Sequence, residues 1–262
     1  MIKKTIVTGM VALMSLAAMA LPAKRGLTNV ITLNDGTKVE VSLVGDEFMH
    51  YWQDANGNKY VPTGEANVFK LADASAVSNL TTRALARKAK AHARRAARRN
   101  LSNATDVFQG KKKGLVILVE FTDVKFKNSD SQTLFNRIAN EAGYNEGYFQ
   151  GSVKDYFLAQ SRGQFELDFD VVGPVKLSHN MKYYGGNDEN GYDLHPEEMI
   201  VEACNGIDSK VDFSKYDWDG DGEVDQVYVI YAGYGEADTG KENTIWPHKY
   251  QRSGASMALT LD

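Results

Sequence analysis

The sequence predicts a mixed α/β (α+β) protein, in which a small antiparallel β module precedes a basic helix and a larger α/β region. Three observations support this prediction. Short β-type runs alternate with Asn-Gly and Asp-Gly turns over residues 28–72, an Ala- and Arg-rich stretch covers 81–100, and buried-strand and amphipathic-helix patterns alternate from 113 onward. With 262 residues and 43% hydrophobic composition, the chain is long enough for one large domain or two modest ones.

The first twenty residues have the pattern of a secretory signal peptide. A short basic start at Lys3 and Lys4 precedes a mostly apolar run and an A-x-A cleavage sequence that ends at Ala20. A membrane anchor would need about twenty continuous apolar residues, and this run is shorter and is interrupted by Thr8 and Ser15. The pattern therefore predicts a secreted, extracellular protein, and no later segment is apolar enough to span a membrane.

Residues 21–80 are predicted to form the β module. The run around Val30 and the run 37–43 flank the turn 34–36, which is a hairpin signal, and a second hairpin is centred on Asn56-Gly57. Residues 68–71 add a further strand. A module of this size is marginally stable alone, so we expect it to pack against the remainder of the chain.

Residues 81–105 are predicted to form an exposed helical linker. Eight Arg and Lys residues lie among alanines between 81 and 100 without an acidic residue, and Leu85 is almost the only apolar side chain that could form a stripe. One interpretation is a connector that Arg- or Lys-specific proteases cut. Binding to nucleic acid or to an anionic membrane surface is the alternative. The net charge of +8 over residues 1–100 and −12 over 101–262 favours the connector, because an acidic exported protein is a poor partner for nucleic acid.

Residues 106–262 are predicted to form the α/β region. The apolar run 114–121 is typical of a strand that is buried on both faces. Helices are expected over 131–142, after Ser152 as the N-cap with Asp155 at N3, and after His195. A half-buried strand is expected over 164–172, ended by Gly173-Pro174, and a buried strand over 226–232, followed by a mobile loop that the glycines of 233–240 mark. Cys204 is the only cysteine, so an internal disulfide is excluded, and we expect it to be a small buried side chain in a helix.

An acidic loop over 217–225 has the spacing of a calcium-binding loop. Its alternating carboxylates match ligand positions one, three and five, a backbone carbonyl would serve at seven, and a further carboxylate at nine. Tyr228 occupies position twelve, where a full EF-hand has glutamate. The alternative is a simple acidic turn, but clustered carboxylates repel one another without a cation. The predicted calcium ligands are Asp217, Asp219, Asp221, Glu223 and Asp225.

Several blocks in this region together resemble one family, the immune inhibitor A type of secreted bacterial zinc metalloproteases. The blocks are the strand 115–121, the segments 152–157 and 161–165, the acidic loop, the strand and turn 231–237, and the segment 245–248. The resemblance covers about residues 113–250. It implies a zincin-like catalytic domain, and the front end, through segments 33–37 and 45–48, is similar to the propeptides of related proteins.

The zinc site that this resemblance implies is absent from the sequence. The family uses H-E-x-x-H on a helix, and His195 comes nearest but has Met199 where the second histidine should stand. The other histidines also lack the pattern: His50, His92, His179 and His248. The zinc ligands are therefore expected beyond residue 262, and the catalytic domain is present only in its N-terminal part. The roles of His248, in a substrate cleft or packed beside Trp246, and of Glu236 stay open.

The sequence thus predicts a precursor of a secreted, zinc-dependent endopeptidase that hydrolyses peptide bonds in proteins. It is expected to be inactive as given, because the zinc motif is missing, and to be a monomer that binds protein or peptide substrates and no nucleic acid. Zinc would be catalytic, and calcium would be structural. The alternative is a secreted calcium-binding adhesin or scaffold protein without catalysis.

Overall fold

The computed structural model describes residues 22–46, 48–63, 65, 67–101, 107–189, 191–247 and 249. The predicted signal peptide at 1–20, His248 and the last residues of the chain lie outside this described part. In the described residues, no helix is both long enough and apolar enough to cross a membrane.

The N-terminal module is a closed five-stranded barrel. Its strands are β1 (Thr28–Leu33), β2 (Lys38–Asp46), β3 (Met49–Gln53), β4 (Lys59–Pro62) and β5 (Val68–Leu71). Both predicted hairpins are confirmed, since β1 and β2 pair from Thr32 and Lys38, and β3 and β4 pair from Gln53 and Lys59. The prediction of a wholly antiparallel module is wrong, because β5 closes the barrel parallel to β1. With five strands that alternate in direction, the first and the last point the same way, so closure requires one parallel pair.

A long helix follows the barrel. Helix α1 spans Ala74–Leu101 and begins where the carboxylate of Asp73 accepts a hydrogen bond from the backbone N–H of Ala76 at 2.7 Å. The predicted module boundary at residue 80 therefore falls inside α1. Leu85 is 63% exposed, which agrees with the absence of an apolar stripe.

The second region is built around a parallel three-stranded sheet in the order β7-β6-β8. The strands are β6 (Gly110–Glu120), β7 (Phe165–Lys176) and β8 (Val227–Tyr231). The prediction that β7 ends at Gly173-Pro174 is wrong. The β6–β7 register shifts between Ile117 and Val119, and pairing resumes at Val175, so the strand passes the proline through a local irregularity, where its missing N–H is tolerated. Strand β8 lies at the sheet edge and is half-buried rather than buried.

Helices cover both faces of this sheet. They are α2 (Ser131–Asn140), α3 (Val153–Gln160), α4 (Met181–Gly185), α5 (Pro196–Asn205) and α6 (Glu236–Thr239), with 3₁₀ helices at Asp208–Lys210 and Phe213–Tyr216. The three predicted helices are α2, α3 and α5. Helix α3 begins with a capping box between Ser152 and Asp155, and Cys204 is buried in α5.

The central strand supplies the core on both sides. Leu115, Ile117 and Val119 point into a cluster that contains residues of α4 and α5, whereas Val116 and Leu118 point into a cluster with β7 and α2. This alternation follows from the two-residue period of a strand. It explains why the run reads as continuously apolar, since both faces of β6 are covered.

Candidate functional site

The acidic loop 217–225 lies between the second 3₁₀ helix and β8. Its carboxylates are organised by backbone hydrogen bonds, because Asp217 accepts the N–H groups of Gly220 at 2.7 Å and Gly222 at 2.8 Å. Both glycines have positive φ, +75° and +85°, which lets the chain fold around the Asp217 side chain. Burial raises the pKa of Asp217, but these backbone hydrogen bonds outweigh it, so that the net pKa is lowered and the carboxylate is charged.

Three of the predicted ligands converge. Oxygens of Asp217, Asp219 and Asp225 all lie within 4.8 Å of one another, and this is the only such group of three or more potential ligands within the described residues. The carboxylate of Asp221 is outside this group and accepts the backbone N–H of Glu223 at 2.8 Å. Glu223 is exposed. An all-oxygen set of this kind suits a hard cation such as calcium.

The loop is anchored to the sheet through Trp218. Its indole N–H donates to the carbonyl oxygen of Lys113 at 2.8 Å, and the ammonium of Lys112 donates to the Trp218 carbonyl oxygen at 3.0 Å. The Trp218 ring lies edge-on to Phe165. The acidic loop is therefore attached to β6 by hydrogen bonds and contacts β7 through an aromatic pair.

A second polar cluster lies where the barrel meets the second region. His50 of β3 stacks on Trp246 with ring centroids 4.0 Å apart, and its Nε2 is 3.7 Å from a carboxylate oxygen of Glu236 in α6. The side-chain amide of Asn187 donates to Glu236 at 2.9 Å, and the Trp246 backbone N–H donates to Asp193 at 3.1 Å. Glu236 Oε2 and Asn187 Oδ1 are buried, with no hydrogen-bond partner among the described residues.

Burial controls the ionisation of this cluster. Desolvation raises the pKa of Glu236 to about 9, opposed by the hydrogen bond from Asn187, and raises the pKa of Asp193 to about 8. Desolvation also lowers the pKa of His50 to about 4. All three groups are therefore neutral near pH 7, because the charged forms are poorly solvated there.

Sequence reasoning considered His50 and Glu236 separately and missed Asn187 and Asp193. The four residues come from β3, the segment 187–193 and the start of α6, so no linear spacing connects them. The one sequence signal was the Gly-rich stretch 233–240, which marked a loop around Glu236. His248, the other residue singled out beside Trp246, lies outside the described residues.

Comparison with known proteins identifies the family of the second region. Residues 102–260 match the model of the immune inhibitor A peptidase M6 catalytic domain. Because the match covers more than half of the chain, the chain belongs to the immune inhibitor A peptidase M6 family. This confirms the family predicted from the sequence.

A curated relative is Immune inhibitor A from Bacillus thuringiensis subsp. alesti. It is 28% identical over an alignment of 175 residues, and the match covers 53% of this chain and 26% of the relative. The chain therefore spans about a quarter of the length of the relative.

The family implies zinc, but the described residues do not form a zinc site. Zinc in peptidases is held by three protein ligands that include histidines. Here His50 approaches one carboxylate only, and the rings of His179 and His195 each stack on Tyr183, with centroids 3.9 and 4.5 Å from it. The converging group in the acidic loop contains carboxylates alone.

Proposed function

We propose that this chain belongs to the precursor of a secreted zinc-dependent endopeptidase that hydrolyses peptide bonds in proteins. The observation that carries the proposal is the match of residues 102–260 to a peptidase catalytic domain. The parallel sheet with helices on both faces is compatible with such a domain. Residues 21–80 would be its propeptide, and 81–105 its excisable connector.

The acidic loop is proposed to be a structural calcium site in this enzyme. Asp217, Asp219 and Asp225 supply converging oxygens, and the Trp218 indole holds the loop against β6. Because three neighbouring carboxylates repel one another when ionised, a divalent cation would stabilise the folded loop. No chemical step is assigned to it.

The experiment is to isolate the native protein with antibodies raised against the purified chain. The culture supernatant and cells of the producing organism would be precipitated separately, and hydrolysis of a fluorescent casein substrate would be measured with and without 1,10-phenanthroline. We expect the antigen in the supernatant, with activity that the chelator abolishes and added zinc restores. Precipitates made with pre-immune serum provide the control.

Two outcomes would contradict the proposal. Antigen confined to the cells would refute secretion. Secreted antigen without chelator-sensitive hydrolysis, although it binds calcium, would favour the adhesin or scaffold alternative, which the family match does not favour.

A further inference from the structure

The hydrophobic core of the barrel includes residues from outside the barrel. Ala237 and Trp246, both at most 5% exposed, belong to the same buried cluster as Ile31, Val41 and Trp52. The barrel is thus closed on one side by the segment 236–246, which we call the dock. A domain that merely lay beside the second region would not share its core with it.

The fit between the barrel and the dock is close. At Gly240 an added Cβ would lie 2.6 Å from the Trp52 ring, so the dock backbone contacts the indole directly. His50 covers the other side of the contact by stacking on Trp246. These contacts resemble the packed centre of a protein–protein interface, in which aromatic anchors fill complementary surfaces.

Polar contacts surround this apolar centre. The backbone N–H of Lys24 donates to the Ala237 carbonyl oxygen at 2.8 Å, and the Lys24 ammonium lies 2.8 Å from a carboxylate oxygen of Asp238. Next to the dock, the segment 187–193 of the second region also contacts the barrel, because the Tyr192 hydroxyl donates to the carbonyl oxygen of Phe48 at 3.2 Å. A desolvated aromatic centre with a polar rim is the usual anatomy of a specific interface.

The helix that covalently connects the barrel to the second region is packed less closely than the dock. The chain passes from the barrel to the second region through α1, whose described residues are half-buried or exposed. Arg87 does cover the Tyr192 ring at 3.9 Å, but none of the α1 side chains that the structure describes belongs to the barrel core cluster. Cutting α1 would therefore leave the contacts between barrel and dock intact.

We propose that the dock is a binding surface for the barrel that functions without covalent linkage, so that the barrel stays bound as a separate chain after α1 is cut. The partner that this surface fits is the barrel itself, recognised through Trp52, His50 and Lys24, which precedes β1. The inference extends the proposed precursor organisation. It does not require peptide hydrolysis, so its failure would leave the peptidase assignment standing.

The test uses the full chain with a recognition sequence for a site-specific protease inserted after Ala93. After complete cutting, the fragments would be separated by size-exclusion chromatography under native conditions. We expect both fragments to co-elute. Separate elution of the two fragments after cutting would overturn the proposal.

Variants distinguish the dock from nonspecific adhesion. Lys24→Glu replaces the ion pair with Asp238 by two like charges at an exposed position, where we expect folding to be unaffected. It should weaken the association of the fragments about fivefold, near the upper range for exposed ion pairs. The double variant Lys24→Glu with Asp238→Lys should restore the association. His50→Glu should separate the fragments, and Val30→Ser on the exposed barrel surface should not. Equal association of all four variants would contradict the assigned surface.

Discussion

Replacing Glu236 by glutamine should make the protein more stable at alkaline pH. The Glu236 side chain is 3% exposed, and burial raises its pKa from 4.5 to about 9. Folding at pH 7 to 8 therefore requires the carboxylate to take up a proton that the unfolded chain does not hold. Glutamine has nearly the same shape and requires no proton.

The size of the effect follows from proton linkage. Because the folded pKa is raised, the stability contributed by this group is complete below the unfolded pKa and is lost as pH rises toward the folded pKa. The free energy of unfolding falls by about 1.4 kcal/mol for each pH unit above the unfolded pKa. Between that pKa of 4.5 and pH 7.5 the loss amounts to about 4 kcal/mol. For a chain of this size, 1 kcal/mol corresponds to about 2–4 °C in melting temperature.

Other titratable groups around Glu236 also change how the free energy of unfolding depends on pH. Asp193 has a raised pKa and contributes a loss of the same sign, up to about pH 8. His50 has a lowered pKa, so its contribution is present above 6.5 and is lost as pH falls toward about 4. Glu242 and Arg87 also act electrostatically on this cluster. Between pH 6.5 and 8 the wild type should therefore lose stability with the slope of about two protons, and Glu236→Gln with the slope of about one.

The assay is urea unfolding followed by tryptophan fluorescence at several pH values between about 6 and 8.5. In this interval the unfolded chain has lost the protons of both carboxyls, whereas the folded protein still holds most of them. Trp246 lies in the cluster and reports on it directly. Glu40→Gln, at an exposed position of β2, is the matched control and should follow the wild type. Identical pH slopes for wild type and Glu236→Gln would refute the reasoning, because they would show that Glu236 is ionised in the folded protein.

Three further predictions concern the acidic loop, a helix cap and the sheet. Calcium should raise the melting temperature of the wild type but not of Asp219→Ala, with magnesium less effective because it prefers smaller octahedral sites; equal calcium shifts in calorimetry would exclude the loop as the site. Ser152→Ala should lower the free energy of unfolding by about 1 kcal/mol, since the Ser152 hydroxyl no longer accepts the backbone N–H of Asp155, and an unchanged urea midpoint would contradict this. Gly114→Ala should cost about 1–3 kcal/mol, because its Cβ would lie 2.6 Å from the Phe169 ring; a variant as stable as wild type in the same titration would show that the ring moves freely.

Local sequence patterns predicted most of the secondary structure. The turn residues around Asn34 and Asn56 predicted both hairpins, because positive φ and side-chain-to-backbone hydrogen bonds are decided within a few residues. The capping box at Ser152 and the double-sided burial of β6 were predicted for the same reason. The acidic loop was also recognisable locally, although the structure gathers only three of its carboxylates.

Interactions between distant segments decided the remainder. Parallel closure of the barrel depends on β1 and β5 meeting in space, and β7 continues past Pro174 because β6 shifts its register beside it. The start of α1 at Ala74 also differs from the composition change at 81. None of these features has a signal confined to one segment.

The sequence by itself determined the family, the strand and helix types, and the acidic loop, since each depends on residues that are neighbours along the chain. Only the tertiary structure decided that His50, Asn187, Asp193 and Glu236 share one buried site, and that Trp246 completes the core of the barrel. The physical reason is desolvation: the pKa of a carboxyl or imidazole group depends on how much water the surrounding segments exclude. That exclusion exists only once the barrel and the dock are in contact.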